Sequence, residues 1–409
     1  MKKRTGKRKQ FEKRKRILRV MNFIIFLFIA ILVIEIGYVV YSKYYKDDGN
    51  VYFDGINAII NIDDGYASVG SNNNNDNYYE RAKFTIYNSK REKELEKIYN
   101  KGYNSAFFDL CSTDDDGYVV VGSYEVNQSE HKNLVREALI IKYDNNGEVV
   151  FENKYKVLDN SKFTSVVAVE DGYIAVGQSV YSNTKVGNDS KGGAIIVKYN
   201  LDGKKIWEKS FGNSKSAVYN DIIAYDGYLY VVGKNDNRLG VINKYDLNGN
   251  IVTSNDYKYT DALGFTGIVE LNNYLYVATG KRITTSDTDA MIVKYDTDLT
   301  YIKEESYNGG SVERFNKIIK DSKEHIILIG VSSLFDDVIV NNDGLIAKYN
   351  VDLEKIAVVS YGDEKYDYFN DIINDESNYL VVGYSSSEDD SFYSKFIKYS
   401  DALKVLVTE

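Results

Sequence analysis

Short apolar runs separated by polar turns recur along this chain in one fixed order. Residues 217–233 read AVYNDIIAYDGYLYVVG, which is two apolar runs on either side of an Asp-Gly turn, with a glycine closing the second run. Residues 367–383 repeat the order as DYFNDIINDESNYLVVG. Equivalent closing glycines occur at intervals of 47 to 56 residues: Gly70, Gly122, Gly177, Gly233, Gly280, Gly330 and Gly383. Self-similarity at such a period is typical of repeat architectures.

Each repeat predicts four short β-strands, named A to D here. Strand A is of the NDII type and is expected at 56–60, 103–110, 163–169, 219–224, 265–270, 315–320 and 369–373. Strand B runs into the closing glycine, strand C ends in a tyrosine that follows lysine in six repeats, and strand D alternates, as in KKIWEKSF (204–211). Runs of four to eight residues divided by Gly, Asn and Asp indicate strands, and no repeat has a helical period. Acidic turns such as DNNG (144–147) lack the spacing of an EF-hand calcium loop, so they predict hairpins.

Strand B decides the architecture that we expect. Its apolar run is continuous, as in YVVV (118–121), whereas a strand with one wet face would alternate. Sheets buried on both faces pack against one another around an axis, and a β-propeller has this signature. The predicted fold class is therefore all-β, a seven-bladed β-propeller of four-stranded antiparallel blades over residues 51–409. The pattern leaves ring closure open: VYF (51–53) completes the last blade, or the first and last blades meet without sharing a strand.

The N-terminal segment predicts a membrane anchor. Residues 1–19 hold eleven Lys or Arg and one Glu, and an apolar run follows from Ile17 to Tyr41. That length crosses a bilayer, the basic flank stays cytoplasmic, and the exit lacks a signal-peptide cleavage pattern. We therefore expect a basic cytoplasmic tail at 1–16, an uncleaved transmembrane signal-anchor helix at 17–41, a linker at 42–50 and an extracytoplasmic propeller at the cell membrane.

The charge of the chain argues against nucleic acid as a partner. The whole chain carries −9, and setting aside the basic segment leaves −19 on residues 20–409. A body of that charge repels nucleic acid. The single cysteine, Cys111, allows no disulfide within the chain, so it does not decide the compartment.

The repeats resemble those of a known kind of surface protein. The segments NDII, DGYLYVVG, VINKYDLNGN and AIIVKYNLDGKKIWEKSFG look like β-propeller repeats of surface and secreted proteins from low-GC Gram-positive bacteria. The resemblance covers about 51–409 and implies the fold, whereas propellers host unrelated activities. Quinoprotein dehydrogenases are more distantly similar in blade pattern, but their recurring tryptophan occurs here once, at Trp207, so we expect no redox cofactor.

No catalytic or metal-binding motif stands out. His131 lies in a polar loop and His325 replaces the strand-B aromatic of the sixth repeat, where we expect a packed side chain. Two histidines in different repeats do not make a metal-ligand spacing. Strand A opens with Asn or Thr in each repeat, and we expect these side chains to bond backbone groups rather than to form a ligand rim. They are Asn57, Asn104, Thr164, Asn220, Thr266, Asn316 and Asn370.

Loop lengths indicate where a partner binds. The A–B and C–D turns are short and uniform, whereas the B–C loops and D–A connections vary, and in a four-stranded meander these variable connections share one face, named the variable face here. Binding sites favour variable loops on a rigid scaffold, and exposed aromatic and arginine side chains serve as anchors. The candidate anchors are Tyr78, Tyr79, Arg81, Tyr181, Arg238, Arg282, Phe335 and Tyr393.

The function that the sequence favours is a binding or scaffold module for a protein or a cell-envelope glycan. One alternative is a cell-envelope glycan hydrolase or lyase that uses carboxylates at the channel mouth, and another is a purely structural spacer that self-associates. Such an enzyme needs a pair of acidic side chains, and Asp and Glu are plentiful without any pair being singled out.

Overall fold

The strands predicted from the repeat are present wherever the chain is described. The computed structural model describes residues 52–73, 79–127, 134–180, 192–257, 263–284, 287–310, 312–336, 339–362, 366–386 and 391–408. These residues form 28 strands and contain no helix, which confirms the all-β prediction. Within this described part, no helix suited to crossing a bilayer is found. The predicted anchor at 17–41 lies outside the described residues.

Consecutive fours of strands form antiparallel meanders, numbered 1 to 7 in chain order, and their members keep the letters A to D. The A strands are β1 (Phe53–Ile62), β5 (Ser105–Ser112), β9 (Asn160–Val169), β13 (Val218–Tyr225), β17 (Gly267–Leu271), β21 (Val312–Lys320) and β25 (Asp367–Asp375). The B strands are β2 (Gly65–Asn73), β6 (Tyr118–Asn127), β10 (Gly172–Val180), β14 (Tyr228–Lys234), β18 (Tyr274–Arg282), β22 (Ile326–Asp336) and β26 (Asn378–Ser386).

The outer half of each meander consists of the remaining two strands. The C strands are β3 (Glu80–Asn88), β7 (Leu134–Tyr143), β11 (Gly192–Asn200), β15 (Gly240–Asp246), β19 (Thr288–Asp296), β23 (Ile339–Tyr349) and β27 (Phe392–Tyr399). The D strands are β4 (Lys93–Ile98), β8 (Val149–Tyr155), β12 (Lys205–Phe211), β16 (Ile251–Asp256), β20 (Tyr301–Tyr307), β24 (Lys355–Tyr361) and β28 (Val405–Thr408).

The A strands are innermost, and the meanders stack face to face around them. Each A strand contacts the A strand of the next meander, and β25 contacts β1. Hydrophobic clusters mix side chains of neighbouring meanders: Val119 and Val121 of meander 2 pack with Ala175 and Val197 of meander 3. This two-sided burial is why strand B is apolar without alternation, and it identifies the fold as a β-propeller.

The closing glycines permit a bulge in strand A. In meander 4 the pairing of β13 with β14 skips Asn220, and a Cβ on Gly233 would lie 2.0 Å from the carbonyl oxygen of Val218. In meander 2 the pairing of β5 with β6 likewise skips Phe108 opposite Gly122. This close backbone approach explains why glycine closes strand B, because no other residue fits there.

The bulge leaves one inner side chain free to reach the next meander. Five of the predicted Asn and Thr residues donate to a backbone carbonyl there, which confirms their expected structural role. The bonds are Asn57 to Phe107 (2.7 Å), Thr164 to Tyr219 (2.6 Å), Asn220 to Phe265 (2.6 Å), Thr266 to Phe315 (2.8 Å) and Asn370 to Ile56 (2.8 Å).

The assignment of Asn104 to this set was wrong. The bulged residue of meander 2 is Phe108, because Phe107 pairs with Gly122 as Tyr219 pairs with Gly233. Asn104 precedes β5 and instead donates to the carboxylate of Glu125 at 2.8 Å. The sequence search looked for Asn or Thr near the expected start of strand A. It therefore selected Asn104 and missed Phe108, which occupies the equivalent position.

The first and last meanders meet without exchanging a strand. Asn370 donates to the carbonyl of Ile56, and the backbone N–H of Ile59 donates to the Asp371 carboxylate at 2.9 Å. Phe53 forms one parallel bridge with Phe392, while β1 and β27 each remain within their own meander. The described residues thus support the second of the two closure schemes.

The Lys-Tyr ending of strand C also has a structural cause. The tyrosine is buried, and the lysine stem crosses the core to bring its ammonium group to an acidic turn. Lys142 bonds Asp115 at 2.6 Å and Lys198 bonds Asp171 at 2.7 Å, and only about 5% of either lysine is exposed. A buried ammonium group requires such a partner, which ties strand C to a turn opposite the variable face.

Candidate ligand-binding cleft on the variable face

A cationic cleft of about 690 Å³ opens on the variable face across meanders 3 to 6. Its basic residues come from several strands and loops and are Lys162, Lys215, Lys234, Arg238, Arg282 and Arg314. Among the described residues that line it there is no Asp or Glu. We name this feature the cationic cleft. It stands out because residues 20–409 carry −19.

The repeat geometry places three of these cations at the inner wall. Lys162 and Arg314 each directly precede the buried aromatic residue that pairs with a closing glycine. Lys234 directly follows the closing glycine of meander 4. The stem of Lys234 passes over Gly264, where a Cβ would lie 2.1 Å from its Cγ and where φ is +93°. A glycine at 264 is therefore what leaves room for Lys234.

These inner cations are desolvated and repel one another. Burial lowers the pKa of Lys162, and the charges of Arg136 and Lys234 lower it further. Burial likewise lowers the pKa of Lys234, with additional repulsion from Arg314 and Arg238. Burial also lowers the pKa of Arg314, and its Nε has no hydrogen-bond partner within the described structure. An anion in the cleft would relieve all of these costs.

A tight B–C turn presents Arg238 at the rim. The side-chain oxygen of Asn235 accepts from the backbone N–H groups of Asn237 and Leu239 at 2.9 and 3.1 Å, and Arg238 sits in the left-handed region with φ of 66°. Within the described residues the neighbouring Asp236 forms no ion pair with Arg238, and its carboxylate accepts from the backbone N–H groups of Asn213 and Ser214. That interaction fixes the connection that carries Lys215.

A second pocket of about 230 Å³ adjoins the cleft on meanders 1, 2 and 7. We name it the mouth pocket. Its walls combine aromatic rings with polar side chains: Phe53, Phe108 and Tyr384 with Asn57, Glu80, Asn104, Arg136 and Asn370. Burial raises the pKa of Glu80, while Ser71 bonds its carboxylate. The Nζ of Lys162 lies 5.9 Å from the ring centroid of Phe108, so a residue that lines the cationic cleft neighbours one that lines the mouth pocket.

A charged cluster lies deeper, among the inner strands. Asp109, Asp221 and Asp371 face Lys317, whose Nζ is 3.8 Å from Asp221. Burial opposes the charge of Lys317, but the three carboxylates outweigh that effect and raise its pKa. Each aspartate accepts a backbone N–H of the next meander, from Val166, Ile268 and Ile59. These bonds make the cluster part of the scaffold.

One group on the opposite face has the composition of a metal site. Asp321, His325 and Asp401 lie close enough to share an ion. However, the ammonium groups of Lys348 and Lys323 contact Asp401, and the Tyr379 hydroxyl donates to Asp321 at 2.7 Å. These contacts use the carboxylates without an ion. His325 is half-buried in the A–B turn, with Ile326 taking the core position expected for it, so the expectation of a core histidine was wrong.

The candidate anchors fall in three separate places. Arg238 and Arg282 line the cationic cleft. Tyr79, 38% exposed, packs edge-on against Tyr103, and the Arg81 guanidinium lies 5.8 Å from the Tyr79 ring. Tyr393 is 47% exposed, and its ring centroid lies 5.1 Å from that of Tyr52. These contacts do not test a binding role, which stays a prediction for each.

Three of the candidate anchors lie wholly or partly outside the residues that the structure describes. Tyr78 and Tyr181 are outside the described residues. The backbone of Phe335 pairs with Val340 within the hairpin of β22 and β23, whereas its side chain is outside the described part. His131 is also outside.

The sequence did carry a signal for the residues that were missed. Lys162, Lys234 and Arg314 all flank a closing glycine or the aromatic residue opposite it. In meanders 1 and 2 the equivalent residues include Gly55, Ser71, Ala106 and Ser123. The two positions are the residue before the strand-A aromatic or apolar residue that pairs with the closing glycine, and the residue after that glycine. A comparison of the repeats at these positions would have distinguished a basic side of the channel mouth from a neutral side.

Known proteins share the fold at low sequence identity. No protein-family model matches the chain, and no curated protein matches its sequence. Among solved structures, the periplasmic gluconolactonase PpgL of Pseudomonas aeruginosa is 9% identical with a TM-score of 0.53, over 88% of this chain and 95% of that one. A structure from a study of two prolyl endopeptidases is 11% identical with a TM-score of 0.52, over 88% of this chain and 50% of that one, so this chain corresponds to half its length.

The β-propeller domain of the Trilobed protease from Pyrococcus furiosus is 11% identical with a TM-score of 0.48, over 85% of this chain and 93% of that one. At these identities the likenesses to the gluconolactonase and to the prolyl-endopeptidase structure, whose TM-scores exceed 0.5, show a shared fold alone.

Proposed function

We propose that this chain is a closed seven-bladed β-propeller, held at the outer side of the cell membrane by residues 17–41, that binds an anionic group of a protein or cell-envelope glycan in the cationic cleft. Seven described meanders and the contacts of β25 with β1 support the blade count. The basic tail and apolar run support the anchor.

The observation that carries the binding function is that six cations share this cleft, the three inner ones half-buried, with no acidic residue among the described residues that line it. Burying like charges together costs free energy, and a folded protein retains such a cost mainly where a ligand offsets it. The guanidinium groups of Arg238, Arg282 and Arg314 suit carboxylate or phosphate oxygens, which they bind in pairs. The hydrolase alternative gains less support, because Glu80 is the one acidic residue among the described residues lining the cleft and the mouth pocket.

Binding of defined anions to the full-length chain in detergent tests this proposal. We expect calorimetry to detect hexaglutamate and hexagalacturonate, and we expect the Lys234→Met, Arg314→Gln double variant to bind both at least about tenfold more weakly. The matched control is Lys209→Met with Lys355→Gln, which removes the same charge from exposed positions on the D strands.

Two results would contradict the proposal. One is equal affinity of the cleft variant and the wild type; the other is an equal loss in the control, which would mean that net charge alone governs binding. Chromatography of hexagalacturonate after incubation covers the alternative, since cleavage by the wild type would favour a glycan-degrading enzyme.

A further inference from the structure

One residue of the mouth pocket, at the strand-A bulge of meander 2, differs from the residue type that the other meanders use there, and interstrand bonding does not explain the difference. Asn or Thr occupies the bulge in meanders 1, 3, 4, 6 and 7, and Thr266 makes the equivalent bond in meander 5. Meander 2 has Phe108 there, which cannot donate to the next meander. A residue that breaks a repeated structural rule points to a functional position.

The ring of Phe108 is only half-buried and faces a polar surrounding. It lines the mouth pocket with the partly exposed rings of Phe53 and Tyr384. Carboxylate, guanidinium and carboxamide groups stand around them, from Glu80, Arg136 and the asparagines of the inner strands. An exposed aromatic ring among such groups matches a sugar, whose C–H face is apolar and whose hydroxyls need both donors and acceptors.

The junction with the cationic cleft gives the charge of that sugar. Lys162 lines the cleft, and its Nζ lies 5.9 Å from the Phe108 ring centroid. A pyranose ring stacked on Phe108 therefore brings an acidic substituent within reach of Lys162, and the following units of the chain continue toward Lys234 and Arg314. The ring of a phenylalanine or tyrosine in an acidic peptide offers at most one hydroxyl to the polar groups of the mouth pocket, whereas a pyranose offers several.

We infer that the mouth pocket is a sugar subsite and that the ligand is an anionic glycan rather than an acidic protein. This inference rests on the proposed function of the cationic cleft. The two features act together: the cleft provides affinity for negative charge, and the mouth pocket distinguishes a sugar chain from any other polyanion.

The test compares hexagalacturonate with hexaglutamate on the full-length chain in detergent. The wild type should bind the sugar acid about tenfold more tightly than the peptide. Phe108→Thr should remove that preference and leave hexaglutamate binding unchanged, while Phe108→Tyr keeps both. Threonine is the residue that meanders 3 and 5 use at this position, so the variant should fold; Tyr384→Leu is a second variant with the same expected effect.

The outcomes separate this inference from the proposed function. Equal binding of the two probes by the wild type, or a preference that survives in Phe108→Thr and Tyr384→Leu, overturns the sugar subsite and leaves the anion cleft standing. Loss of both probes in the Lys234→Met, Arg314→Gln variant supports the cleft whatever Phe108 does. Failure of the wild type to bind either probe overturns both.

Discussion

The turn between strands C and D has one left-handed backbone position, which Arg91 occupies in meander 1 with φ of 66° and which glycine or leucine occupies in the other six meanders. In meanders 2 to 4 the residue is glycine: Gly147, Gly203 and Gly249, with φ of 73°, 81° and 80°. In meanders 5 to 7 it is leucine: Leu299, Leu353 and Leu403, with φ of 64°, 60° and 56°. A side chain in this region costs free energy, so the leucines must recover that cost elsewhere.

The preceding meander explains which residue is used. A Cβ on Gly249 would lie 2.9 Å from the ring of Trp207, because Trp207 packs across the turn of the next meander. Trp207 pairs with the strand-C lysine of its own meander. In the three meanders that precede Leu299, Leu353 and Leu403, the residue at this strand-D position is Thr253, Lys303 and Ala357, respectively. Large side chains thus face glycine, and smaller or flexible ones leave space for leucines that are at most 2% exposed.

We expect Trp207 and Gly249 to be energetically coupled. Gly249→Leu alone should cost about 2–4 kcal/mol of the free energy of unfolding, from backbone strain and from overlap with the indole. In combination with Trp207→Thr, which reproduces the pair found at Thr253 and Leu299, the total cost should fall at least about 1 kcal/mol below the sum of the single costs. Urea denaturation followed by circular dichroism measures all four proteins. Additive costs would show that the two positions are independent.

At the scale of the strand, the recurring NDII phrase carries two bonds to the next meander. The Asn220 amide donates to Phe265, and the neighbouring Asp221 carboxylate accepts from Ile268 at 3.1 Å. Asn370 and Asp371 make the same pair of bonds to Ile56 and Ile59. One asparagine and one aspartate in sequence therefore supply both a donor and an acceptor across the interface.

Substitution of Asn370 isolates this interaction at the contact between the last and first meanders. Asn370→Thr should be tolerated, because Thr164 and Thr266 make the same bond. Asn370→Val has the shape of threonine without the hydroxyl and should cost about 1–2 kcal/mol more than the threonine variant, since the Ile56 carbonyl loses its donor. Denaturant unfolding of both variants gives the difference. Equal stability would mean that the bond does not contribute to closure.

The strands were predictable, whereas the cleft was not. Apolar runs, closing glycines and Asn- or Asp-containing turns are local signals, so they located four strands in each repeat. Lys162, Lys234 and Arg314 are far apart in sequence and come together only through the packing of neighbouring meanders. Arg238 and Arg282 were found because they lie in variable loops. That criterion identifies residues at the rim of the cleft, but not those of its wall, which lie at the ends of strands. Phe108 was missed because the search followed residue type rather than strand register.

At the scale of the molecule, opposite charges are separated along the channel. The cationic cleft lies at the mouth, and below it Asp109, Asp221 and Asp371 surround Lys317. The aspartates belong to meanders 2, 4 and 7 and the lysine to meander 6, so this cluster joins more than half of the meanders at the axis. Its protonation therefore affects the ring as a whole.

Asp371 gives this cluster a distinct pH dependence. Burial is the largest influence and raises the pKa of Asp371 to about 6, although Lys317 and two backbone N–H groups favour the charged form. The ordinary value is 3.8, so between pH 3.8 and 6 the folded state binds more protons than the unfolded state. Stability must then fall as the pH rises through this window and level off above it.

We expect the wild type to lose about 1 kcal/mol of unfolding free energy through Asp371 between pH 5 and pH 7.5. Asp371→Asn cannot ionise, so its stability should change less over the same range, whatever its absolute value. Asp401→Asn is the matched control: hydrogen bonds from Lys323 and Lys348 lower the pKa of Asp401, so its titration lies below the window and the slope of the wild type should persist. Urea denaturation at pH 5, 6 and 7.5 measures the three slopes. If Asp371→Asn retains the wild-type slope, another group titrates in this range and the axial cluster does not couple the meanders to pH.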